Sequence, residues 1–584
     1  MAKNKPAKKA LSAQPESIAI AYDLFDLPTA QHKAGLAGMI LQIRSMSERK
    51  LPPEQIPVIE QLAPTSAVIR FSESSLQRMF DDLYDAAVVE VAVKTKWGTE
   101  KPIRVEEAEE EDPDTHKVRT IKRFVYEVVQ PCGHFLMQHF PDADGLWLKL
   151  WRDMLWNIPR GRPTTRRPYQ QRANRELCSE GAEAWRELSA FQKAVARKEV
   201  RTCEVASALL LGAQALNAES VPFRGRTDQT LVLHFWPLVA MIFVPQVLDG
   251  DGTSEFVGYT LAIPEVADLT EFCRLYPRVL SQLSADARGY RPAGAVIDIP
   301  QQAGLEFLEN LARLSESAAG RKETTQAVAS VEYMHMVKAG NNVKSVAAGR
   351  IAPNPRLLDE YLECLCGSRP RFRNPLFRAG LMRWMLDEAE SAGRSTWYRH
   401  MARMMAERPW PFFVRCDKTP KSVPWFAADA KNQFQDRVKE YQDEWEASPM
   451  TDVQPPAVAT GKPQPPLEVL VYRLVQNFVR KKTKDKCDLE WDDFKDKKSV
   501  DPKTNKERVE VPAAYAEAKE RVVSDAFLAM RSRREKDFVE YFTASICSVR
   551  RFLSEDDFCV VAKALLEQPE DVKTLTLLAL SANS

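Results

Sequence analysis

Apolar and polar residues recur with two different periods along this 584-residue chain. The run AVIRFS (67–72) reads as a strand. After it a helix opens near Ser74 and Ser75, with Leu76, Met79, Phe80, Leu83 and Tyr84 on one face. VVEVAVKTKW (88–97) and TIKRFVYEVVQ (120–130) alternate at period two and predict a hairpin, with the acidic run EEAEEEDPD (106–114) as a solvated loop between them. Residues 135–156 are aromatic-rich and read as helical, and helical periodicity returns over 176–215. From 221 to 300 the pattern is β structure with interposed helices: EFVGYTLAIP, a helix near 265–284, and AGAVIDIP. LVLHFWPLVAMIFVPQVL (231–248) approaches membrane-span length, but His234, Pro237, Pro245 and Gln246 interrupt it, so two buried strands fit better. Helices dominate from 301 to about 448.

The composition then shifts. SPMTDVQPPAVATGKPQPP (448–466) holds six prolines and reads as an extended linker. Beyond it the pattern is helical, with Val471, Val475, Phe478 and Val479 on one face and Ser554 followed by Asp557 as an N-terminal cap before FCVVAKALL. The division expected is a basic disordered tail (1–15), a body (16–447), the linker (448–466) and a helical C-terminal part (467–584). No internal repeat is evident.

A chain of this length suggests three to four domains, or fewer large ones. Apolar content of 44% with 28% charged residues is ordinary for a soluble globular protein. The ten cysteines show no disulfide-framework spacing and follow no secretory signal, which fits reduced thiols in the cytoplasm.

Charge changes the picture locally. With 82 basic against 81 acidic residues the chain is not a uniformly basic binder, so any nucleic-acid role rests on patches. IPRGRPTTRRPYQQRANR (158–175) carries six arginines and no acid, including Arg160, Arg162, Arg166, Arg167 and Arg172. Such a cluster suits phosphate; a solvated loop, or arginines paired with carboxylates, fits as well. SVEYMHMVKAGNNVKSVAAGR (330–350) sets Lys338, Asn341, Asn342, Lys344 and Arg350 around Gly340. Amide side chains on such a turn can bond phosphates or base edges, or their own backbone. Arg224 and Arg226 flank Gly225 in a smaller version, and RPRFRNPLFR (369–378) interleaves arginine with Phe372 and Phe377. Near the C-terminus lie Arg480, Lys481, Lys482, Lys484 and Lys486, which also suit a helix C-terminus, and Arg531, Arg533 and Arg534.

Signatures of catalysis are scarce. There is no P-loop, dinucleotide fingerprint or nucleophile elbow. Cys132, His134 and His139 have metal-like residue types without a clear fourth ligand, and Cys364 and Cys366 have no second pair; buried thiols and a satisfied histidine fit both better. The members of a catalytic triad need not be close in sequence, so a triad stays open.

Several segments together resemble a known family. AFLAMRSRREKDFVEYFTASICSVRRFLSEDDFCVVAKALL (526–566) with KTLTLLALSAN (573–583) looks like the end of the MYXAN-subtype large subunit of type I CRISPR Cascade complexes. HKAGLAGMILQI (32–43), LVLHFWPLVAMIFVPQV (231–247), GYTLAIPEVADL (258–269), VEYMHMVKAGNNVK and RIAPNP (331–355) agree. The resemblance implies an α+β fold: a mixed α/β N-terminal body followed by a C-terminal helical bundle, divided at the proline linker. It implies a subunit without enzymatic activity, cofactor or membrane contact. Such a subunit sits near the 5′ handle of the guide RNA, reads the protospacer-adjacent motif on double-stranded DNA, helps open the duplex, holds the displaced strand and helps recruit the nuclease-helicase. Its other partners would be the Cascade backbone, handle-binding and small subunits, and Met450 would be a candidate start for a separately made small subunit.

On this reading Arg160, Arg162, Arg166, Arg167 and Arg172 are duplex or guide-handle contacts. Lys338, Asn341, Asn342 and Lys344 are motif-reading candidates, and Arg224, Arg226 and Arg350 are further nucleic-acid contacts. Arg480, Lys481, Arg531, Arg533 and Arg534 face the displaced strand. The competing readings are a metal-dependent nuclease centred on Cys132, His134 and His139, and a scaffold whose arginines meet acidic proteins.

Overall fold

The computed structural model describes residues 16–98, 101–111, 118–140, 146–157, 163–205, 209–211, 223–248, 254–285, 293–314, 326–339, 342–364, 378–380, 382–383, 385–386, 405, 410, 413–414, 434–447, 465–500, 507–548 and 553–584. The fold is α+β. It divides into two compact units, residues 1–246 with 256–353, and residues 247–255 with 354–584. That division falls earlier in the chain than the proline-rich segment, whose residues 448–464 lie outside the described ones, as does the N-terminal tail 1–15.

In the first unit β1 (Ile18–Asp23) leads into α1 (Ala30–Ser47), followed by β2 (Val58–Leu62) and β3 (Ser66–Phe71). The three strands pair antiparallel in the order β1–β3–β2. Along β3 the alternation turns Ala67, Ile69 and Phe71 inward. α1 is buried on nearly every side, from Ala30 to Met46. A helix apolar all round belongs at the centre of a core rather than on its surface. α2 (Glu73–Leu83) starts one turn ahead of a strong apolar face, where Ser72 and Ser75 form a reciprocal capping box. Leu76, Met79, Phe80, Leu83 and Tyr84 are all buried, as the periodicity predicts.

β4 (Ala86–Val93), β5 (Arg104–Glu111) and β6 (Val118–Pro131) form a second antiparallel sheet with β6 in the middle. The strands expected to form a hairpin do pair, but the acidic run between them is not a loop: residues 106–111 are the edge strand β5. Cross-strand charge explains it. Glu106 stands opposite Arg123, Glu107 opposite Lys122 and Glu110 opposite Arg119, and opposite charges in register stabilise a strand that propensity disfavours. Arg104 reaches over β6 to Glu90 at 2.5 and 2.7 Å.

Next come α3 (His134–His139), α4 (Leu146–Asn157), α5 (Pro163–Ala173) and α6 (Ser179–Ala196). Trp147 and Trp151 are fully buried, and the Trp151 indole donates to the Ala240 carbonyl at 2.9 Å. The helical reading of 176–215 stops at Ala196: β7 (Thr202–Glu204) pairs antiparallel with β8 (Arg224–Arg226).

α7 (Thr227–Val232), β9 (Met241–Leu248), β10 (Ser254–Phe256), β11 (Tyr259–Val266), α8 (Leu269–Ala285), β12 (Val296–Ile297), α9 (Gln302–Leu314), β13 (Val328–Ala339) and β14 (Asn342–Ile351) follow. The apolar stretch 231–248 is therefore one strand, not two. Its first half is the end of α7 and a tight turn at Trp236–Leu238, where Pro237 supplies a fixed φ and no ladder donor. In the largest sheet β9, β11, β13 and β14 are successive neighbours, and each of these pairs is antiparallel. The β13–β14 hairpin overturns the expectation of continuous helix after 301. Val331 and Tyr333 to Met336 are all buried, so both faces of β13 read as apolar and the period is masked.

The second unit contains α10 (Pro355–Cys364), α11 (Gln435–Ala447), α12 (Leu467–Cys487), the short hairpin β15 (Lys498–Val500) and β16 (Glu507–Val509), α13 (Ala513–Arg531), α14 (Glu535–Tyr541), α15 (Glu555–Glu567) and α16 (Pro569–Ala582). Val471, Val475, Phe478 and Val479 are buried, and the Asp557 amide donates to the Ser554 hydroxyl at 3.1 Å, as the sequence predicts. α16 is the axis of the bundle, packed by α12, α13, α14 and α15 and buried from Asp571 to Asn583. Its Thr574, Thr576 and Ser581 hydroxyls donate to the carbonyls four residues back, which satisfies polar atoms that would otherwise cost stability. α11 belongs to this bundle: Phe434 meets Tyr472 edge-on, and the Gln435 amide donates to the Ala582 carbonyl at 3.2 Å.

Burial also sets an acid limit. His32 on α1 and His139 on α3 have pKa values lowered to about 4 by burial, from an ordinary 6.5. The unfolded chain takes up these protons as pH falls through 6.5, whereas the folded chain resists until about 4. Stability should therefore decline as pH drops from 6.5 towards 4. Melting temperatures at pH 7 and pH 5 test this, and equal values would refute it.

Candidate nucleic-acid interface

The arginine run divides on inspection. Arg160 and Arg162 lie outside the described residues. The rest is not a loop but α5, which begins at Pro163, a residue suited to a first helical turn. Arg172 faces inward, 17% exposed, paired with Asp85 at 3.3 Å and Asp81 at 3.9 Å, and it donates to the Glu176 carbonyl at 2.9 Å. Arg166 lies 4.7 Å over the Trp156 ring and donates to that residue's carbonyl, and burial pulls its pKa below the ordinary value. Tyr169, between them, packs edge-on against Tyr84 and Trp156. Arg167 is exposed. Two arginines thus hold the helix and one faces water.

The acids that hold α5 belong to a buried network. Asp82 accepts from both terminal nitrogens of Arg49 and from Gln42 at 3.2 Å, while Asp81 accepts from the Cys178 amide at 2.8 Å and from Gln77 at 3.1 Å. Buried carboxylates with this many donors are structural.

Arg226 grips buried Asp228 through two hydrogen bonds, at 2.7 and 3.2 Å. Arg224, exposed, donates to the carbonyl and hydroxyl of Thr202. In the β13–β14 hairpin the ladder closes at Lys338↔Val343 and Ala339↔Asn342. The connecting Gly340 and Asn341 lie outside the described residues. Lys344 is exposed; Arg350 stands opposite Glu332 and 3.8 Å from Glu265, which also takes Lys33 at 2.8 Å.

In the second unit Arg480 and Lys481 are exposed on the last turns of α12 and have no carboxylate partner among the described residues. Lys484 and Lys486 are paired, with Glu490 and Asp525 respectively. Arg531 is half-buried, and burial lowers its pKa. Arg533 stacks 4.8 Å over Tyr541 and donates to the Ala529 carbonyl at 2.9 Å, while Arg534 is exposed. Sequence reasoning missed Lys573. It is 7% exposed, its ammonium donates to the Arg533 carbonyl, and burial chiefly lowers its pKa. A lysine inside the otherwise apolar KTLTLLALSAN was the available signal.

The cysteine–histidine cluster does not converge. His134 meets the Ser45 hydroxyl at 3.3 Å, His139 meets Gln138 at 3.2 Å, and burial pushes the Cys132 thiol up to about 11. Among the described residues no three His, Cys, Asp or Glu side chains are placed to hold a metal ion. No described helix is long and apolar enough to cross a membrane.

No curated protein matches the chain. A family model described as the Type I-B CRISPR Cas8b N-terminal domain matches residues 56–321, and one described as the Cas8b C-terminal domain matches residues 328–583. With both halves present in order and only 1–55, 322–327 and Ser584 outside them, the chain belongs to the Type I-B CRISPR Cas8b family and is a type I CRISPR large subunit of the Cascade effector.

Proposed function

We propose that this large subunit, without catalysing a reaction itself, binds the protospacer-adjacent motif in double-stranded DNA, helps open the duplex, steadies the displaced strand and helps recruit the nuclease-helicase. The observation that carries this reading is the presentation of cations on ordered elements of a chain with a net charge of only +1. Arg167 projects from a helix clamped by its own neighbours, and Arg480 and Lys481 project from the helix that packs on the bundle axis. A near-neutral body with a few held cations suits a division in which guide pairing reads the sequence and the protein holds backbone and adjacent motif.

Within this reading α5 meets the duplex or the guide's 5′ handle. The hairpin tip, with Lys338, Asn341, Asn342 and Lys344, reads the motif; a two-stranded ribbon fits a major groove. The helical C-terminal part 467–584 lies along the displaced strand. Membership of the MYXAN subtype, contacts with the backbone, handle-binding and small subunits, and a cytoplasmic location belong to the same proposal.

Co-purification tests it first: the chain expressed with its array should come down with a guide RNA bearing a repeat-derived 5′ end. Arg167→Glu should then weaken target-duplex binding and lower the salt slope by about 0.9, one phosphate contact on B-form DNA. Unchanged affinity and slope would refute the role given to α5 and favour a scaffold.

A further inference from the structure

β14 is an outermost strand of the largest sheet and pairs with β13 on one side. On its other side, among the described residues, no hydrogen bond from backbone or side chain reaches the main chain of residues 343–350. Lys344, Ser345, Val346, Ala348 and Arg350 are exposed, Val346 at 59%. A ten-residue strand spans about 33 Å and turns alternate residues' N–H and C=O groups outward along that length.

Open edges of this length are liabilities that proteins blunt or use. The acidic edge β5 is blunted by its glutamates. β14 carries no acid, and Ser345, Ala347, Ala348 and Gly349 are small enough to admit another backbone at strand spacing, about 4.8 Å. A register shift, at His335↔Ala347 and Met336↔Ser345, places Val346 on a bulge. A bulge twists the edge and narrows what can pair with it.

The chemistry of the edge selects its occupant. Phosphate oxygens only accept hydrogen bonds, so nucleic acid would leave every outward carbonyl unmet. A peptide strand supplies donors and acceptors in alternation. Lys344, exposed and without a carboxylate partner among the described residues, adds a positive charge at the hairpin end. We propose that β14 accepts an extended strand from another protein subunit of the effector, with an acidic side chain opposite Lys344. The proposal rests on the chain's place in a multisubunit effector, and it stands or falls separately from the DNA contacts proposed for α5 and α12.

Hydrogen exchange on the full chain, isolated and then assembled with its guide RNA and companion subunits without target DNA, tests it. Outward amides within residues 343–350 should exchange at least about tenfold more slowly after assembly, the factor expected of one net hydrogen bond each. A photo-reactive residue in place of exposed Val346 should form an adduct with a protein subunit. Unchanged exchange, or protection with no protein adduct, or an adduct to RNA, would overturn the proposal. Because no target DNA is present, failure of the DNA-binding reading leaves this result unaffected.

Discussion

Replacing Gly38 with alanine is expected to cost the first unit about 3 kcal/mol or more, and Gly35→Ala with Gly38→Ala to leave it without a cooperative unfolding transition. A β-carbon at Gly38 would lie 2.3 Å from the Phe235 carbonyl oxygen, and one at Gly35 2.1 Å from that of Val232. Both are about 1 Å inside a normal carbon–oxygen contact. Neither carbonyl can yield, because each accepts a turn-closing hydrogen bond, from Leu238 at 3.1 Å and from Phe235 at 3.0 Å. Nor can α1 retreat, since it is buried on its remaining sides. Alanine gains about 1 kcal/mol of helix propensity over glycine, too little to offset the overlap. Gly294→Ala, where a β-carbon meets nothing within 4 Å, is the control and should change stability by under about 0.5 kcal/mol. Thermal unfolding monitored by fluorescence reads all three; a Gly38→Ala chain melting like the parent would refute the packing argument.

The second large effect is on strand binding. Arg480→Glu with Lys481→Glu should lower affinity of the assembled effector for the displaced single strand by roughly a hundredfold, taking about 1.5 kcal/mol for each charge-assisted contact. The salt slope should fall by about 1.4, since a single-stranded phosphate contact contributes about 0.7. Both residues are exposed and neither closes an ion pair among the described residues, so melting should not move. That separates them from Arg533, whose stack on Tyr541 and bond to Ala529 tie any substitution to stability as well. Titrations of labelled strand at several salt concentrations decide the matter, and an unchanged slope would remove α12 from the interface.

Legibility in the sequence followed amphipathicity. α2 and α12 sit half in and half out of a core, so their faces were readable residue by residue. α1 and β13 were not readable, because burial on all sides erases the period that distinguishes helix from strand. β5 was hidden for the opposite reason. A run of glutamates reads as solvent-facing loop until the basic residues opposite it on β6 are known, and register is a tertiary fact. At the candidate interface, residue type located the arginines but could not separate Arg172 from Arg167. The difference lies in Asp81 and Asp85, almost a hundred positions away in sequence.

The clamp on α5 also bears on how such a run can drift over generations. Arg172 answers to two carboxylates on α2, and a change at any of the three is felt by the other two. Arg167 answers to whatever the helix meets outside the chain. Adjacent positions on one helix are therefore under unrelated selection. One group is expected to co-vary within the protein, and the other to follow the nucleic acid it serves.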